Sequence, residues 1–408
     1  MITEKNNAGC CEKKLGLSKD AQGNLYLGEK PFKGYGVNSF SAVTYYVDAH
    51  STNTFEEQFT LLKSYNIPFL RVNFGGYWPE YYERFDKDPD AIISKMRDAL
   101  DSAQSHKIGL ICSLLWYDGA ISYHVGEKRS AMGDPHSKTA EYTRKYVARI
   151  VNEFKDHPAV WGWEIGNEYN LDADLCDKSL KSFIPQGPAT PAVPSGFDFY
   201  TSEELVTYMT LVGEEIRKYD PYRIISAGHG DMRDASKALH NAAIKHDEDH
   251  LWENDWTQDT IDDFYEMCAY FTPDPFDAMC FHIQHSQRDD EGNAYYLDTW
   301  RRFGKVISTK EYLEAFVNAA KKTNKVLYFG EFGDLIWKET APDAPEYFSN
   351  LVNTCLDAGI GFASTWQFMT NNNIANDNGI DGEKLRILQK VNLDFIAKGD
   401  QPIDEYWN

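Results

Sequence analysis

Apolar residues recur along this chain in short solid runs rather than in long alternating ones. Eight such runs read as strands buried on both faces: Gly34–Asn38, Phe69–Phe74, Ile108–Trp116, Val160–Ile165, Arg223–Ala227, Ala278–Ile283, Val326–Gly330 and Gly361–Gln367. Helical periodicity fills the intervals. Thr54-Phe55-Glu56-Glu57 reads as a capping box, with Phe59 and Leu62 on the face of Phe55, and Thr201-Ser202-Glu203-Glu204 reads as a second helix start. Tyr146, Val147, Ile150, Val151 and Phe154 form a wide apolar stripe, and further helices are predicted near 89–106, 309–322, 344–358 and 383–396. Pro68, Pro158 and Pro221 each fall between a helical stretch and a strand, where proline ends a helix and holds its predecessor extended.

Eight strands alternating with helices, without a linker, predict a single (β/α)8 TIM barrel over 34–408, preceded by an N-terminal extension with a small hairpin over 1–33. The competing doubly wound sheet would need a Gly-rich phosphate turn, and none is present. Three connections that follow strands are long, at 171–200, 229–260 and 284–308. In a barrel they lie on the C-terminal face, where active sites are built. Within the first, the Pro- and Gly-rich stretch 184–196 reads as irregular loop.

Composition narrows the partners. The 408 residues carry a net charge of −22, which argues against a nucleic acid or an anionic membrane surface as partner. The charge is uneven: 246–287 holds eleven acidic residues and no Lys or Arg. A solvated acidic loop and helix is the plain account. Such a field would disfavour acidic polysaccharides, tolerate neutral ones and raise nearby carboxyl pKa values. The longest apolar stretch, Ile108–Trp116, is far too short to cross a membrane. The first residues lack the apolar core of a signal peptide, so the chain reads as cytoplasmic unless a leader has been removed. Seven scattered cysteines, from Cys10 and Cys11 to Cys355, fit free thiols. The oligomeric state is left open.

Two strands end in carboxylates. Val160–Glu168 reads as a buried strand with Glu164 inside it and Glu168 at its end, and Lys325–Gly333 ends in Glu331 between two glycines. An acid on an apolar strand is costly unless it is paired or used. For Glu164 the plainer reading is an internal partner such as Arg; for Glu168 and Glu331 it is chemistry. Two carboxyls facing each other across a barrel mouth are the equipment of glycoside hydrolysis, one protonating the leaving oxygen and the other attacking the anomeric carbon.

On these motifs the chain resembles clan A glycoside hydrolases, and family five in particular. Trp163-Glu164-Ile165-Gly166-Asn167-Glu168 is similar to the acid/base motif on strand four, and Tyr328–Gly333 to the nucleophile motif on strand seven. Gly34–Asn38, Phe69–Asn73, Asp277–His282 and Ser364–Gln367 resemble strands one, two, six and eight, in order. The resemblance implies Glu168 as acid/base and Glu331 as nucleophile, held ionised by Arg71. It also implies Asn167 on the sugar 2-hydroxyl, His282 in the polar network and Trp366 as the floor of the cleavage subsite. No cofactor or metal is expected: a metal barrel needs several His and Asp ligands at strand ends, and His124, His136 and His229 are not convincingly spaced with His282 and His285. His282 and His285 resemble a metal pair only superficially.

Two positions depart from the family. His282-Ile283-Gln284 lacks the Tyr that usually bonds the nucleophile, and strand three ends in Leu115-Trp116-Tyr117-Asp118 rather than near a His. Trp116 would supply an aromatic wall instead. The expected substrate is a neutral β-linked mannan or glucan, cleaved with retention; the alternative is a catalytically silent barrel that only binds carbohydrate. Tyr77, Trp78, Tyr117, Tyr169, Trp252, Trp256, Trp300 and Trp337 are candidate sugar-stacking aromatics.

Overall fold

The eight apolar runs pair into a closed parallel barrel. The computed structural model describes residues 14–48, 55–176, 198–244, 251–288, 294–333, 344–368 and 380–408. Its barrel strands are β1 (Gly34–Asn38), β2 (Phe69–Asn73), β3 (Gly109–Ser113), β4 (Val160–Glu164), β5 (Ile224–Ser226), β6 (Ala278–His282), β7 (Val326–Phe332) and β8 (Phe362–Thr365). Each pairs with the next, and β8 closes on β1 with Phe362 opposite Gly34. The (β/α)8 expectation therefore holds. The predicted helices form at Phe55–Ser64, Pro89–Ser105, Lys138–Phe154, Ser202–Arg217, Thr309–Thr323, Ala344–Asp357 and Ile380–Lys398. The Thr201/Glu204 capping box is made in full, whereas Thr54 lies outside the described residues. Loop 184–196, Trp337, Cys10 and Cys11 lie outside them too.

The barrel floor is a second core. Phe69, Ile111, Trp161, Ile224, Tyr328 and Phe362 fill the lower interior. They meet Leu17, Leu25 and Leu27 of a small antiparallel sheet, Leu17–Lys19, Leu25–Leu27 and Lys30–Pro31, and Phe32 just after it. This apolar plug excludes water from below. Polar side chains in the barrel therefore gather one layer higher, toward the C-terminal strand ends.

The connection after β6 is not plain loop. It folds as two antiparallel hairpins, Ser286–Arg288 with Ala294–Tyr296 and Thr299–Arg302 with Lys305–Ser308. The tip of the second carries Phe303 and Gly304 at positive φ, the turn geometry that suits the twist of a tight hairpin. The connection after β5 carries a helix, Ser236–Ala243. Gln258, on the acidic stretch, donates to the Arg301 carbonyl and accepts from the Gly304 amide, tying the two connections together. No helix among the described residues is long and apolar enough to cross a membrane.

Candidate active site

Alternation along β2 turns Arg71 into the barrel, fully buried. Its guanidinium organises the site. Nε and Nη2 lie 2.8 and 2.7 Å from Oε1 of Glu164, while Nη1 lies 2.6 Å from Oε1 of Glu331. Nη1 also donates to Asn38 Oδ1 at 3.0 Å, and Nη2 to Asn167 Oδ1 at 2.9 Å. Arg71 thus both neutralises the buried Glu164 and holds Glu331. Burial opposes its charge, but the two carboxylates raise its pKa above the ordinary arginine value.

Glu331 reaches its place through a bulge. Along β6 and β7, Tyr328 opposes Cys280 and Phe329 opposes Phe281, but His282 is opposed by Glu331, so Gly330 is the extra residue. A Cβ on Gly330 would come within 2.6 Å of Cys280 Sγ and of His282 Nε2, so this position needs glycine. The inserted residue keeps Glu331 facing the barrel axis.

Glu168 lies beyond the end of β4. It has a left-handed backbone (φ 58°), its amide donates to the Gly228 carbonyl at 2.8 Å, and its side chain is 26% exposed. Non-glycine residues in this conformation cost about 1–3 kcal/mol and concentrate at working sites. His282 stands between the two glutamates, with Nδ1 3.0 Å from Oε1 of Glu168 and 3.5 Å from Oε1 of Glu331. One oxygen of Glu168, one of Glu331 and a His282 nitrogen all lie within 4.8 Å of one another. Three such groups could also face a cation. Here Nδ1 faces both carboxylates, and Arg71 already supplies a full positive charge beside Glu331.

The electrostatics differ from expectation. Burial pushes the Glu331 carboxyl above the usual range; His282 and Arg71 pull it down without cancelling that effect, and Glu168 pushes it up further. Burial also pushes Glu168 up, but the hydrogen bond and charge of His282, with Arg71, outweigh it and hold Glu168 low. The expected rise at the acid from the surrounding acidic stretch is not what dominates. His282 itself is raised to about 10: burial and Arg71 oppose its charge, and Glu331 together with Cys280 outweighs them. These directions favour a charged His282 beside an ionised Glu168.

The remaining expected residues gather around this core. Trp116 is 5% exposed and lies under Arg71, with the guanidinium carbon 4.5 Å from its ring centroid. Trp366 follows β8, half-buried, its amide donating to the Phe332 carbonyl at 2.7 Å. Gln284 is exposed and does not take the place of the missing Tyr. Among the described residues, Arg71 and His282 are the groups paired with Glu331. The stacking candidates divide. Tyr169, Trp252 and Trp300 are buried in packing. Tyr77 and Tyr117 stack at 5.3 Å, Trp78 adjoins both, and Phe40 connects Tyr77 to Trp116. Trp256 is 58% exposed on the acidic stretch.

Sequence reading missed two buried supports. Asn38 Nδ2 donates to the Gly330 carbonyl at 2.8 Å, bracing the bulge from β1. Lys384 donates to the carbonyls of Gly333 and Trp366, joining the ends of β7 and β8. The first could have been found as a polar strand-end residue, by the same rule that singled out Glu168; the second sits in a helix and gives no such signal.

A closed parallel barrel with two glutamates braced at its mouth is an arrangement suited to glycoside hydrolysis. The chain belongs to glycosyl hydrolase family 5 (cellulase), whose model matches residues 27–375. It is 23% identical over 198 residues to mannan endo-1,4-beta-mannosidase 5 of Arabidopsis thaliana; that match spans 42% of this chain and 45% of the relative. Its fold is similar to the endo-1,4-beta-mannanase of Rhizomucor miehei, with TM-score 0.60 and 15% identity over 94% of this chain and 99% of that one. It is also similar to the exo-beta-1,4-mannosidase Op5Man5 of Opitutaceae bacterium strain TAV5, with TM-score 0.59 and 15% identity over 93% and 63%.

Proposed function

We propose that residues 34–408 act as one catalytic barrel that cleaves a neutral β-linked polysaccharide or its oligosaccharides with retention of configuration, β-mannan ahead of β-glucan. The observation that carries the mechanism is the carboxylate spacing. Glu168 and Glu331 bring oxygens within 4.8 Å. Retaining enzymes hold their carboxyls about 5–5.5 Å apart, and inverting ones about 6.5–9.5 Å, to admit a water.

In this reading Glu331 attacks the anomeric carbon while Glu168 gives its proton to the leaving oxygen. Water, deprotonated by Glu168, then cleaves the glycosyl–Glu331 ester. Arg71 and His282 both contact Oε1 of Glu331, which leaves Oε2 for the attack. Asn167 spends Oδ1 on Arg71, so its Nδ2 is available to donate to the sugar 2-hydroxyl. Trp366 floors the cleaved sugar and Trp116 walls it. The mannan preference is supported by the relatives' names, and a neutral substrate by the net charge of −22.

The test is incubation with β-mannan and β-glucan panels, followed by NMR of the first products. Release of β-configured reducing ends from mannan is expected. An α-configured first product would sink retention, and turnover of glucans alone would sink the mannan preference.

A further inference from the structure

Strand β6 sets a thiol against His282. Cys280 and His282 are two residues apart, so both point into the barrel. Cys280 Sγ lies 3.7 Å from Nε2, and the two residues are 4% and 2% exposed. Facing them is bare backbone at Gly330, with no room for even a methyl group. The opposite ring nitrogen, Nδ1, faces Glu168 and Glu331. The two edges of the ring therefore meet different chemistry: carboxylates on one side, a sulfur on the other.

A thiol is a weak acceptor and a weak donor. A carboxylate at this place would clamp the ring as imidazolium. A sulfur accepts from Nε2–H whether the ring is charged or neutral, so it fixes the orientation without fixing the charge.

We propose that Cys280 is a positioning residue that holds His282 for proton exchange with Glu168, His282 being the store from which the acid is loaded. The step balances within the pair. The Nδ1–H bond of the imidazolium breaks and an O–H bond forms on Glu168. The ring becomes the neutral Nε2–H tautomer, still donating to Cys280 Sγ, with bare Nδ1 accepting from the new O–H. The reverse transfer returns the proton. The free-site balance, His282 raised and Glu168 held low, is the resting end of this exchange. The groups facing the ring are Glu168 after β4, Glu331 on β7, Arg71 on β2, His229 after β5 and Cys280 on its own strand. The inference rests on Glu168 being the acid.

The experiment compares the full-length wild type with Cys280→Ala and Cys280→Ser. Two readouts are taken across pH: kcat/KM on an aryl β-mannoside, and the side-chain 15N shifts of His282, assigned with His282→Gln. In Cys280→Ala the imidazolium loses its Nε2–H acceptor. The His282 titration and the alkaline limb of kcat/KM are expected to move down together by a unit or more, with kcat about tenfold lower and KM little changed. Cys280→Ser is expected to recover part of both shifts. Superimposable 15N titrations and pH profiles would overturn the inference, even with lowered thermal stability. If Cys280→Ala does not fold, a Cys280→Ser variant indistinguishable from wild type in both readouts would overturn it equally. A wild type without turnover would count against the proposed function alone, since the 15N titration still decides whether Cys280 governs His282.

Discussion

Arg71 Nη1 lies 2.6 Å from Oε1 of Glu331, while the far edge of the same guanidinium is closed by Glu164. Stability and chemistry therefore share one cation.

Removing that cation leaves the buried Glu164 without its charge partner and Glu331 with His282 alone. Arg71→Met is expected to destabilise the fold by about 3–5 kcal/mol. Arg71→Lys restores a charge but not the planar fork, and should retain more stability than activity. Denaturant unfolding and kcat on the same preparations check both. Equal losses in the two measurements would contradict a shared role.

The two glutamates should fail differently. Glu331→Ala is expected to lose at least about 10³-fold in kcat on every substrate, as nucleophile loss does. Glu168→Ala should lose about 10²–10⁴-fold on polysaccharide. It should lose far less in the first step on aryl glycosides, whose leaving groups need no proton. A pre-steady-state burst of phenolate from Glu168→Ala, absent from Glu331→Ala, is the discriminating signal.

His282 makes stability depend on pH in a stated direction. Its native pKa of about 10 lies above the ordinary 6.5, so its contribution is complete below pH 6.5 and is lost as pH rises toward 10. Urea titrations of wild type should show a falling unfolding free energy across that window. His282→Gln should flatten it.

His285 acts with the opposite sign. It is buried against Trp300 and Phe329, its ring nitrogens have no well-formed hydrogen bond among the described residues, and burial depresses its pKa to about 3. Stability is full above pH 6.5 and is eroded as pH falls from there toward 3. His285→Phe should stabilise by about 1 kcal/mol at neutral pH, the cost of an unpaired buried polar group, and by more in acid. Thermal melts at pH 5 and 7.5 test this.

Trp78, Tyr77 and Tyr117 continue the aromatic wall from Trp116 outward. In the proposed reading they extend the sugar-binding groove, with Trp78 the exposed ring of the three. Trp78→Ala and Tyr117→Ala should each raise KM for polysaccharide by up to about tenfold and leave aryl-glycoside KM unchanged. A change in KM on both substrates would place these rings beside the cleaved bond instead.

The barrel was readable because its strands are buried on both faces, so Phe69–Asn73 or Val326–Phe332 stand out as apolar runs between proline or glycine stops. Glu168 and Glu331 were readable because charge at such strand ends is expensive. Other parts left no comparable trace. Cys280 is small enough to pass as strand filling. The bulge at Gly330 inserts a single residue, which no alternation pattern registers in an otherwise solid apolar strand. The hairpins at 286–308 hide among charged residues whose turn, Phe303-Gly304, lacks the usual Asn-Gly signature. The balance of charge was beyond pattern too: which of Glu168, His282 and Glu331 holds the proton depends on three distances and on burial.

The barrel floor has a consequence for the order of assembly. The Gly16 amide donates to the Tyr406 hydroxyl at 2.8 Å, and Trp407 stacks on Trp161. A plug shared by segments nearly four hundred residues apart closes only when both are present. During synthesis the nascent barrel therefore stays open at its base until Tyr406 and Trp407 have emerged. Contacts of such separation are slow to form, which makes completion of the floor the natural late event in folding and its apolar rim the surface most exposed to aggregation before then.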